Sequence, residues 1–318
     1  MMSLPKYFVS CDWGTTNFRL KLVAFDSLEV VRETSSVDGV KRLYQSFLEA
    51  KDTNQFDFFK DNLMHQLASF LSENETYPIV ASGMISSSIG MYELPYANFP
   101  FDSSKESLVT QKLELNNDLK LTLISGIKNK SGVMRGEETQ AIGLEDSLKN
   151  IPRGILLLPG THSKHLTFKE GYFTDLKSFM TGELFEVISQ KTILSSSIKF
   201  AAQKSFDKDE FLRGVQLGLR GKLSSSLFSI RTKHLENSSC VIENYFFLSG
   251  LLIGDEIAYL TKKEETIFLA CPESLLYLYE VALKSSVEKD RLVVIGNQDF
   301  EQAILIGQKN ILKYDYNE

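Results

Sequence analysis

A pattern of three short strands joined by two turns occurs twice in the chain, and it constrains the fold more than any other feature. The first copy covers residues 7–34 and the second covers residues 155–176. Each copy places a Gly-Thr pair in its first turn, Gly14-Thr15 in one and Gly160-Thr161 in the other. Apolar strands that run into Gly-bearing turns predict sheets with short connections. We therefore expect two α/β domains whose first turns have the same role.

The first turn carries residue types that suit a phosphate group. Gly14 can adopt a positive φ, which lets the backbone approach a ligand closely. Asp12 ends the preceding strand, where it is placed to hold Mg²⁺ directly or through water. Arg19 returns on the next strand as a fork for phosphate. An ordinary hairpin, for which Asn and Gly are common, is the alternative. The turn itself adds two hydroxyls, an amide and several N–H groups that suit an anion, and it consists of Gly14, Thr15, Thr16 and Asn17.

The second turn repeats this arrangement in the second half of the chain. It holds Gly160, Thr161 and His162, and Lys164 follows on the returning strand. We expect His162 to contact phosphate or substrate and Lys164 to supply a point charge. A metal role for the histidines is not expected, because a zinc site would need further ligands. The two turns, facing each other, are predicted to bind the phosphates of one nucleotide from opposite sides.

A loop of small hydroxyl residues follows the buried strand at residues 78–81. In open α/β sheets ligands bind beyond the carboxyl ends of strands, so this loop is the candidate site for a sugar-like polyol. A flexible surface loop is the alternative. Thr181, which starts a later helix, is expected to act as a helix cap and remains a candidate for substrate contact. The candidate loop residues are Ser82, Gly83, Met84 and Ile85.

Two adjacent carboxylates, Glu137 and Glu138, follow Arg135-Gly136 at the start of a short predicted helix. Carboxylates favour a helix N-terminus, and this effect alone can explain them. The alternative is a general base that accepts the proton of a substrate hydroxyl during phosphoryl transfer. Neighbouring residues on a helix point about 100° apart. We therefore expect one glutamate to face the site and the other to face away.

Composition excludes several classes of protein. The chain has 318 residues, 43% of them hydrophobic, a net charge of -6 and three widely spaced cysteines. These values favour two globular domains without a basic nucleic-acid face or a disulfide framework. No signal peptide is visible, and the most apolar predicted helix, at 244–260, is too short to span a membrane. We expect a cytoplasmic protein with domains at 1–150 and 151–318, adenosine-binding turns in the last third, and a peripheral end after Gln308.

Six blocks together make the chain resemble the 2-dehydro-3-deoxygalactonokinase family. They occur in the family's order and cover most of the chain. The resemblance implies two ribonuclease-H-like (actin-like ATPase) domains with a nucleotide cleft between them. It also implies ATP-dependent phosphorylation of the 6-hydroxyl of 2-dehydro-3-deoxy-D-galactonate in galactonate breakdown. The blocks are DWGTTNFR (12–19), ASGMI (81–85), MRGEETQ (134–140), PGTHSK (159–164), MTGEL (180–184) and LSGLLIG (248–254).

The chain departs from the superfamily pattern at three places. Leu158 stands where the second turn commonly has an Asp, so metal binding would rest on Asp12. Residues 271–274 replace a Gly-rich adenosine turn, which leaves Ser274 as the candidate contact. Glu137 or Glu138 stands where related sugar kinases commonly use an Asp base.

The resemblance also sets the expected partners and domain roles. The first domain would hold the sugar-acid site, and the second would hold the adenosine site. ATP and Mg²⁺ are the expected cofactors, and Arg135, Arg19 or Lys164 would neutralise the transferred phosphoryl. Arg135 is also a candidate for the substrate carboxylate. The sequence leaves open whether the protein forms a homodimer. The alternatives are a kinase of another small sugar acid or polyol, and a nucleotide-dependent metabolite sensor that transfers nothing.

Overall fold

The computed structural model of the chain describes residues 3–72 and 75–316, and these residues cluster into two units. Unit 1 comprises Met1–Asn150, Glu170–Leu176 and Gln298–Glu318, and unit 2 comprises Ile151–Lys169 and Lys177–Asn297. Residues 1, 2, 73, 74, 317 and 318 lie outside the described ones. The chain passes from one unit to the other after Asn150, where the sequence predicts a domain boundary.

Two segments assigned to the second domain by sequence cluster with unit 1 instead. The C-terminal helix does so because it packs closely on the helix that starts at Glu137. A Cβ at Gly143 would lie 1.8 Å from the carbonyl oxygen of Ala303, so only glycine permits this approach. The segment Glu170–Leu176 does so because Phe173 exchanges two backbone hydrogen bonds with Phe101, and their rings stack at 4.8 Å.

Unit 1 is built on a six-stranded sheet of order β3-β2-β1-β4-β7-β6, with a small sheet of order β5-β8-β9. Its strands are β1 (Tyr7–Trp13), β2 (Phe18–Ala24), β3 (Val30–Ser36), β4 (Ile79–Gly83), β5 (Ala97–Asn98), β6 (Thr110–Glu114), β7 (Lys120–Ile124), β8 (Ile127–Lys128) and β9 (Val133–Met134). Its helices are α1 (Val40–Glu49), α2 (Gln55–Phe70), α3 (Glu137–Gly143), α4 (Glu145–Leu148) and, from Gln298 onward, α10 (Asn297–Lys313).

The apolar pattern of the sequence explains the order of the first sheet. β1 pairs antiparallel with β2 and parallel with β4, and all five residues of β4 are buried. Near-continuous apolar runs are typical of strands covered on both faces. α2 covers one face with Phe59, Leu63 and Leu67, and Asn54 caps it by accepting the Asp57 N–H at 3.0 Å.

Unit 2 repeats the design with a five-stranded sheet of order β12-β11-β10-β13-β14. Its strands are β10 (Arg153–Leu158), β11 (Ser163–Lys169), β13 (Thr266–Leu269), β14 (Leu292–Val294) and, from Lys177 onward, β12 (Tyr172–Phe179). Its helices are α5 (Thr181–Lys191), α6 (Lys208–Leu219), α7 (Leu223–Leu235), α8 (Val241–Ile257) and α9 (Glu273–Lys284). None of the helices in the described part of the chain has the length and apolarity needed to cross a membrane.

The two sheets share one topology, as the repeated sequence pattern predicts. β10 pairs antiparallel with β11 and parallel with β13, just as β1 pairs with β2 and β4. In both sheets the third strand of the meander lies at the edge. The α/β prediction is confirmed. The duplication places each Gly-Thr turn at the same position, immediately after the carboxyl end of a central buried strand.

The expectation of a peripheral end after Gln308 is wrong. α10 continues to Lys313, and Gln308 itself is fully buried. Its Nε2 donates to the carbonyl oxygen of Cys11 at 3.2 Å and to Ser82 Oγ at 3.0 Å. The amide thus ties together β1 and β4 immediately before the residues that the sequence assigns to the site.

Candidate active site

Asp12 lies at the carboxyl end of β1. The two neighbouring strands, β2 and β4, carry candidate site residues at the same edge of the sheet. In the sheet it is paired with Arg19 on β2 and with Ser82 on β4. Arg19 Nη1 lies 3.3 Å from Asp12 Oδ2, and the side chain of Asp12 keeps 30% of its surface exposed. The structure therefore places Asp12, Arg19 and Ser82 at one edge of the sheet of unit 1.

Two glycines with positive φ allow the backbone to close around this carboxylate. Gly83 has φ +94°, and a Cβ there would lie 2.8 Å from the Trp13 carbonyl oxygen and 3.6 Å from Asp12 Oδ1. Gly136 has φ +112°, and a Cβ there would lie 3.4 Å from Gly83 Cα. Both positions favour glycine for conformation as well as for space. The two motifs that the sequence singles out, at 82–85 and 135–138, therefore meet beside Asp12.

Glu137 and Glu138 face different surroundings, as their helical spacing predicts. Glu137 is half-buried, and its Oε2 accepts the Arg135 N–H at 3.0 Å. Glu138 is fully buried, and both of its oxygens lie 2.8 Å from the Gly136 nitrogen. Burial, with the Glu137 charge second, raises the pKa of Glu138 to about 7. Glu137 is thus the accessible carboxylate of the two.

The negative charge of Glu137 affects the pKa of Asp12. The pKa of Asp12 is raised above its usual range, first by burial and also by Glu137, while Arg19 lowers it. A carboxylate pair that shares one charge field holds a proton or a cation more readily than either group alone. Asp12 and Glu137 therefore form an acidic pair at the carboxyl end of β1.

The donor chemistry of this pair fits Mg²⁺. Hard carboxylate oxygens are the protein ligands of this ion, which takes only one or two of them and retains its waters. Within residues 3–72 and 75–316, no cluster of three or more His, Cys, Asp or Glu side chains could hold a metal. The candidate magnesium ligand is therefore Asp12, and Glu137 is the neighbouring carboxylate.

The first turn is held from behind by the start of α1. The Gly14 N–H donates to the Asn17 carbonyl at 2.9 Å, which closes the turn. The carbonyls of Gly14 and Thr15 accept the N–H groups of Val40 and Lys41 at 3.0 and 3.1 Å. The side chains of Thr15, Thr16 and Asn17 are exposed. The turn is therefore rigid on its helix side and open on the other, as an anion site requires.

The second turn has the same support in unit 2. The Thr161 carbonyl accepts the Glu183 N–H at 3.0 Å, from the first turn of α5. A Cβ at Gly182 would lie 2.7 Å from the Gly160 carbonyl oxygen, so the helix start and the turn touch through backbone. Likewise, a Cβ at Gly39 would lie 2.4 Å from the Thr15 carbonyl oxygen in the first turn. The two turns are thus equivalent in their supports as well as in their sequence.

The basic residues of the second turn have protein partners. His162 Nε2 lies 2.6 Å from Glu183 Oε2, at the surface. Lys164 is buried, and its Nζ donates to the His162 carbonyl at 2.9 Å. The ammonium therefore lies directly behind the turn, where its charge acts on the turn as a whole. Contact of either residue with phosphate stays a prediction.

Thr181 does not cap its helix. α5 begins at Thr181 itself, so the cap position falls to Met180, which makes no side-chain cap bond. The Thr181 hydroxyl donates instead to Oε2 of Glu256, a residue of α8. The capping expectation is wrong because a buried carboxylate from a distant helix offers the hydroxyl a stronger partner than the backbone does.

Arg135 lies beneath the loop at residues 82–91 and holds it in place. Its Nη1 donates to the Ser86 hydroxyl at 2.7 Å, its Nη2 donates to the Leu94 carbonyl at 3.3 Å, and its guanidinium stacks on the Tyr96 ring at 4.2 Å. The residue is 9% exposed. These contacts favour a positioning role for Arg135. Its predicted contact with the phosphoryl or the substrate carboxylate stays a prediction.

The hydroxyls of the same loop point inward. Ser82 and Ser86 are fully buried, and the Ser86 hydroxyl donates to the Ile124 carbonyl at 2.6 Å. Ile85 belongs to the apolar core, whereas Met84 is half-buried. Met84 is therefore the accessible residue among the four predicted in the substrate loop.

A mostly apolar cavity of about 120 Å³, partly open to solvent, lies beside the second turn within unit 2. Gly160, Thr181 and Gly182 form its end nearest the turn, and Leu252, Leu275 and Tyr279 form its walls. Ser274, the predicted adenosine contact, is exposed at the start of α9, one residue before Leu275. Apolar walls with a few polar groups are typical of small-molecule sites.

Sequence reasoning missed two polar residues that support the site, Gln308 and Glu256. Both stand in helical segments with apolar neighbours, and both are buried. A polar residue on the apolar face of a helix was the available signal, since such a residue is usually paired. The partners could not be named, because they lie between 23 and 297 positions away in the chain.

A duplicated α/β unit with a Gly-Thr turn after each central strand defines the class of protein. It is the actin-like ATPase fold, here of the sugar-kinase type. A crystal structure assigned as a 2-dehydro-3-deoxygalactonokinase from Sinorhizobium meliloti has the same fold. It aligns with a TM-score of 0.82 and 25% identity, over 98% of both chains.

The chain belongs to the 2-keto-3-deoxy-galactonokinase family, whose sequence pattern matches residues 12–305. It is 27% identical over 307 residues to the 2-dehydro-3-deoxygalactonokinase of Escherichia coli K12, which covers 93% of this chain and 96% of that one. It is 28% identical over 317 residues to a Rhizobium meliloti protein assigned the same activity, over 95% and 99% of the two chains. A kinase family implies a nucleotide donor and a small sugar-acid acceptor.

Proposed function

We propose that the protein transfers the terminal phosphoryl group of ATP to the 6-hydroxyl of 2-dehydro-3-deoxy-D-galactonate. One observation supports this most strongly. The Gly83–Gly136 contact holds two carboxylates, Asp12 and Glu137, at the carboxyl end of the central strand of unit 1. This is the chemistry that phosphoryl transfer to a sugar hydroxyl needs, namely one group to accept a proton and one to manage charge.

Glu137 is the proposed general base. It is the accessible member of the pair of glutamates, and the Arg135 N–H orients its carboxylate. Glu138 is the proposed support. Its buried carboxylate accepts the Gly136 N–H and thereby fixes the turn that presents Glu137. A base held at a fixed position can take the hydroxyl proton as the bond to phosphorus forms.

Asp12 would hold Mg²⁺, which would neutralise phosphate charge and orient the phosphates of ATP. Arg19 would add a positive charge on the opposite side of Asp12, since its guanidinium already contacts that carboxylate. Charge neutralisation and positioning supply most of the catalysis in phosphoryl transfer. The exposed guanidinium of Arg19 is better placed for this role than the buried one of Arg135.

The Gly-Thr turn of each unit would bind phosphate. The equivalent supports of the two turns favour equivalent roles, since both are fixed by a helix start and both leave their hydroxyls exposed. The apolar cavity beside Gly160 would receive the nucleotide base. The half-buried Met84 would contact the sugar acid.

The test is a coupled ADP-release assay with ATP and Mg²⁺ on a panel of acceptors. The panel contains 2-dehydro-3-deoxy-D-galactonate, its gluconate epimer, galactonate, galactose and glycerol. We expect turnover with the first compound and at least about tenfold lower kcat/KM with the others, because one misplaced hydroxyl leaves polar groups unpaired. Preference for another compound would replace the substrate. ATP binding without turnover on any compound would support a metabolite sensor instead.

A further inference from the structure

A carboxylate at the end of an otherwise apolar helix lies at the centre of a buried hydrogen-bond network in unit 2. Glu256 of α8 is 2% exposed. Its Oε1 lies 2.9 Å from His165 Nε2, and its Oε2 accepts the hydroxyls of Tyr279, at 2.8 Å, and Thr181. Because a carboxylate only accepts, the hydrogen between Glu256 and His165 belongs to the ring nitrogen. Both oxygens of Glu256 are therefore bonded.

Tyr279 connects this carboxylate to the second turn. Its hydroxyl oxygen lies 3.2 Å from Ser163 Oγ, and Ser163 Oγ accepts the Gly160 N–H at 3.4 Å. Gly160 is the glycine of the predicted phosphate site. Three hydrogen bonds from Glu256, the network therefore reaches the side of the turn that faces the protein interior.

Thr181 and His165 connect the carboxylate to the two elements that flank the turn. Thr181 starts α5. Its neighbour Gly182 packs so closely on the turn that a Cβ there would lie 2.7 Å from the Gly160 carbonyl oxygen. His165 lies on β11, two residues after Ser163. Its Nδ1 is 2.9 Å from the Tyr259 hydroxyl, which fixes the ring from the other side. The strand, the turn and the helix start are thus tied to one carboxylate.

Stability gives a weak reason for this arrangement. A buried carboxylate rarely stabilises a fold more than apolar residues of the same volume, because taking it out of water is costly. The same helix face elsewhere is filled by residues such as Leu252 and Ile253. A specific geometry is the better explanation, since three hydrogen bonds to one carboxylate fix the directions of three elements at once.

We propose that Glu256 is a positioning residue that holds the second turn in the geometry that binds the phosphates of ATP. This proposal rests on the function proposed above. A positioning role of Glu256 differs from a purely structural role in one measurable respect. Loss of the network lowers the affinity for ATP without a matching change in the affinity for the sugar acid, because every residue of the network belongs to unit 2, whereas the proposed sugar-acid contact Met84 belongs to unit 1.

The experiment compares four variants for ATP binding by calorimetry and for the KM of each substrate. Tyr279→Phe removes only the hydroxyl that links Glu256 to Ser163. Glu256→Gln retains one acceptor oxygen, whereas Glu256→Ala removes both. Asn244→Ala is the matched control, because Asn244 is also buried on α8 but donates to the Ser197 carbonyl at 2.9 Å, away from the turn.

We expect Tyr279→Phe to weaken ATP binding about five- to tenfold, as the loss of one buried hydrogen bond does. Glu256→Gln should lose less affinity for ATP than Glu256→Ala. The KM for the sugar acid should change by less than about twofold in all folded variants. The Asn244→Ala control should lower the thermal midpoint and leave the affinity for ATP unchanged.

Two results would overturn the proposal. One is unchanged ATP affinity in folded Tyr279→Phe and Glu256→Gln proteins. The other is an equal loss of affinity in Asn244→Ala, which would show that general destabilisation of α8 is the cause. A wild-type protein that binds ATP but does not turn over the sugar acid would contradict the proposed function instead, and the calorimetric comparison would still decide the role of Glu256.

Discussion

Replacing Glu138 by Gln should change how the stability of unit 1 depends on pH. Burial raises the pKa of this carboxyl from 4.5 to about 7. An acid with a higher pKa in the folded protein keeps its proton there while the unfolded chain releases it. As the pH rises from about 4.5 to about 7, the wild-type protein therefore loses stability. At 1.36 kcal/mol per pKa unit, the loss between pH 5 and pH 8 is about 2.5 kcal/mol.

The assay is urea unfolding of both proteins at pH 5, 6, 7 and 8. The single tryptophan, Trp13, is fully buried in unit 1, so its fluorescence reports the unfolding of the unit that holds Glu138. Glu145, whose pKa burial also raises to about 7, titrates in the same range in both proteins. The difference between the two pH profiles therefore isolates Glu138.

The Glu138→Gln profile should be flatter than that of the wild type by about 2.5 kcal/mol between these pH values. The absolute stability at one pH is less informative, because the new amide leaves an N–H group without the partner that the carboxylate had. Glu29→Gln makes the same change at an exposed position and serves as the control. Parallel profiles for wild type and Glu138→Gln would refute the argument, since they would show that the fold does not shift this carboxyl.

Four further changes test other parts of the site. Glu137→Gln should lower kcat by about 10²- to 10⁴-fold with little change in KM, the usual effect of losing a general base; unchanged kcat in a steady-state assay would assign the base elsewhere. Asp12→Asn should raise the Mg²⁺ concentration needed for half-maximal rate by about tenfold or more, in a magnesium titration of the same assay. Arg135→Met should raise the KM for the sugar acid more than the KM for ATP, because the loop at residues 82–91 loses the buried guanidinium that holds it. An equal rise in both KM values would contradict this. Gln308→Leu should cost about 1–2 kcal/mol in urea unfolding, because it removes donors from the Cys11 carbonyl and the Ser82 hydroxyl.

Local patterns in the sequence were enough to predict the duplicated framework. The Gly-Thr pairs and the apolar strands before them depend only on neighbouring residues, so the two meanders and their turns appear where they are predicted. The divergence of Glu137 and Glu138 follows from the geometry of a helix turn. The two side chains do have different surroundings, and which of them faces the substrate stays a prediction.

Long-range pairing could not be predicted in the same way. Thr181 has the sequence context of a helix cap, yet its hydroxyl is bonded to Glu256 on another helix. The segment after Gln308 looks peripheral in the sequence, yet α10 continues to Lys313 and buries Leu312. In each case the partner is set by tertiary packing, which local propensity does not encode. The roles of the individual site residues in catalysis remain predictions for the variants above.

The most direct test of the central claim is the identity of the phosphorylated product. Wild-type protein, ATP, Mg²⁺ and 2-dehydro-3-deoxy-D-galactonate would be followed by ³¹P NMR with proton coupling. We predict a new phosphomonoester resonance split by the two protons of the C6 methylene group, formed in the same amount as ADP. Release of ADP with inorganic phosphate alone, or a phosphoester split by a single proton from a secondary carbon, would contradict it.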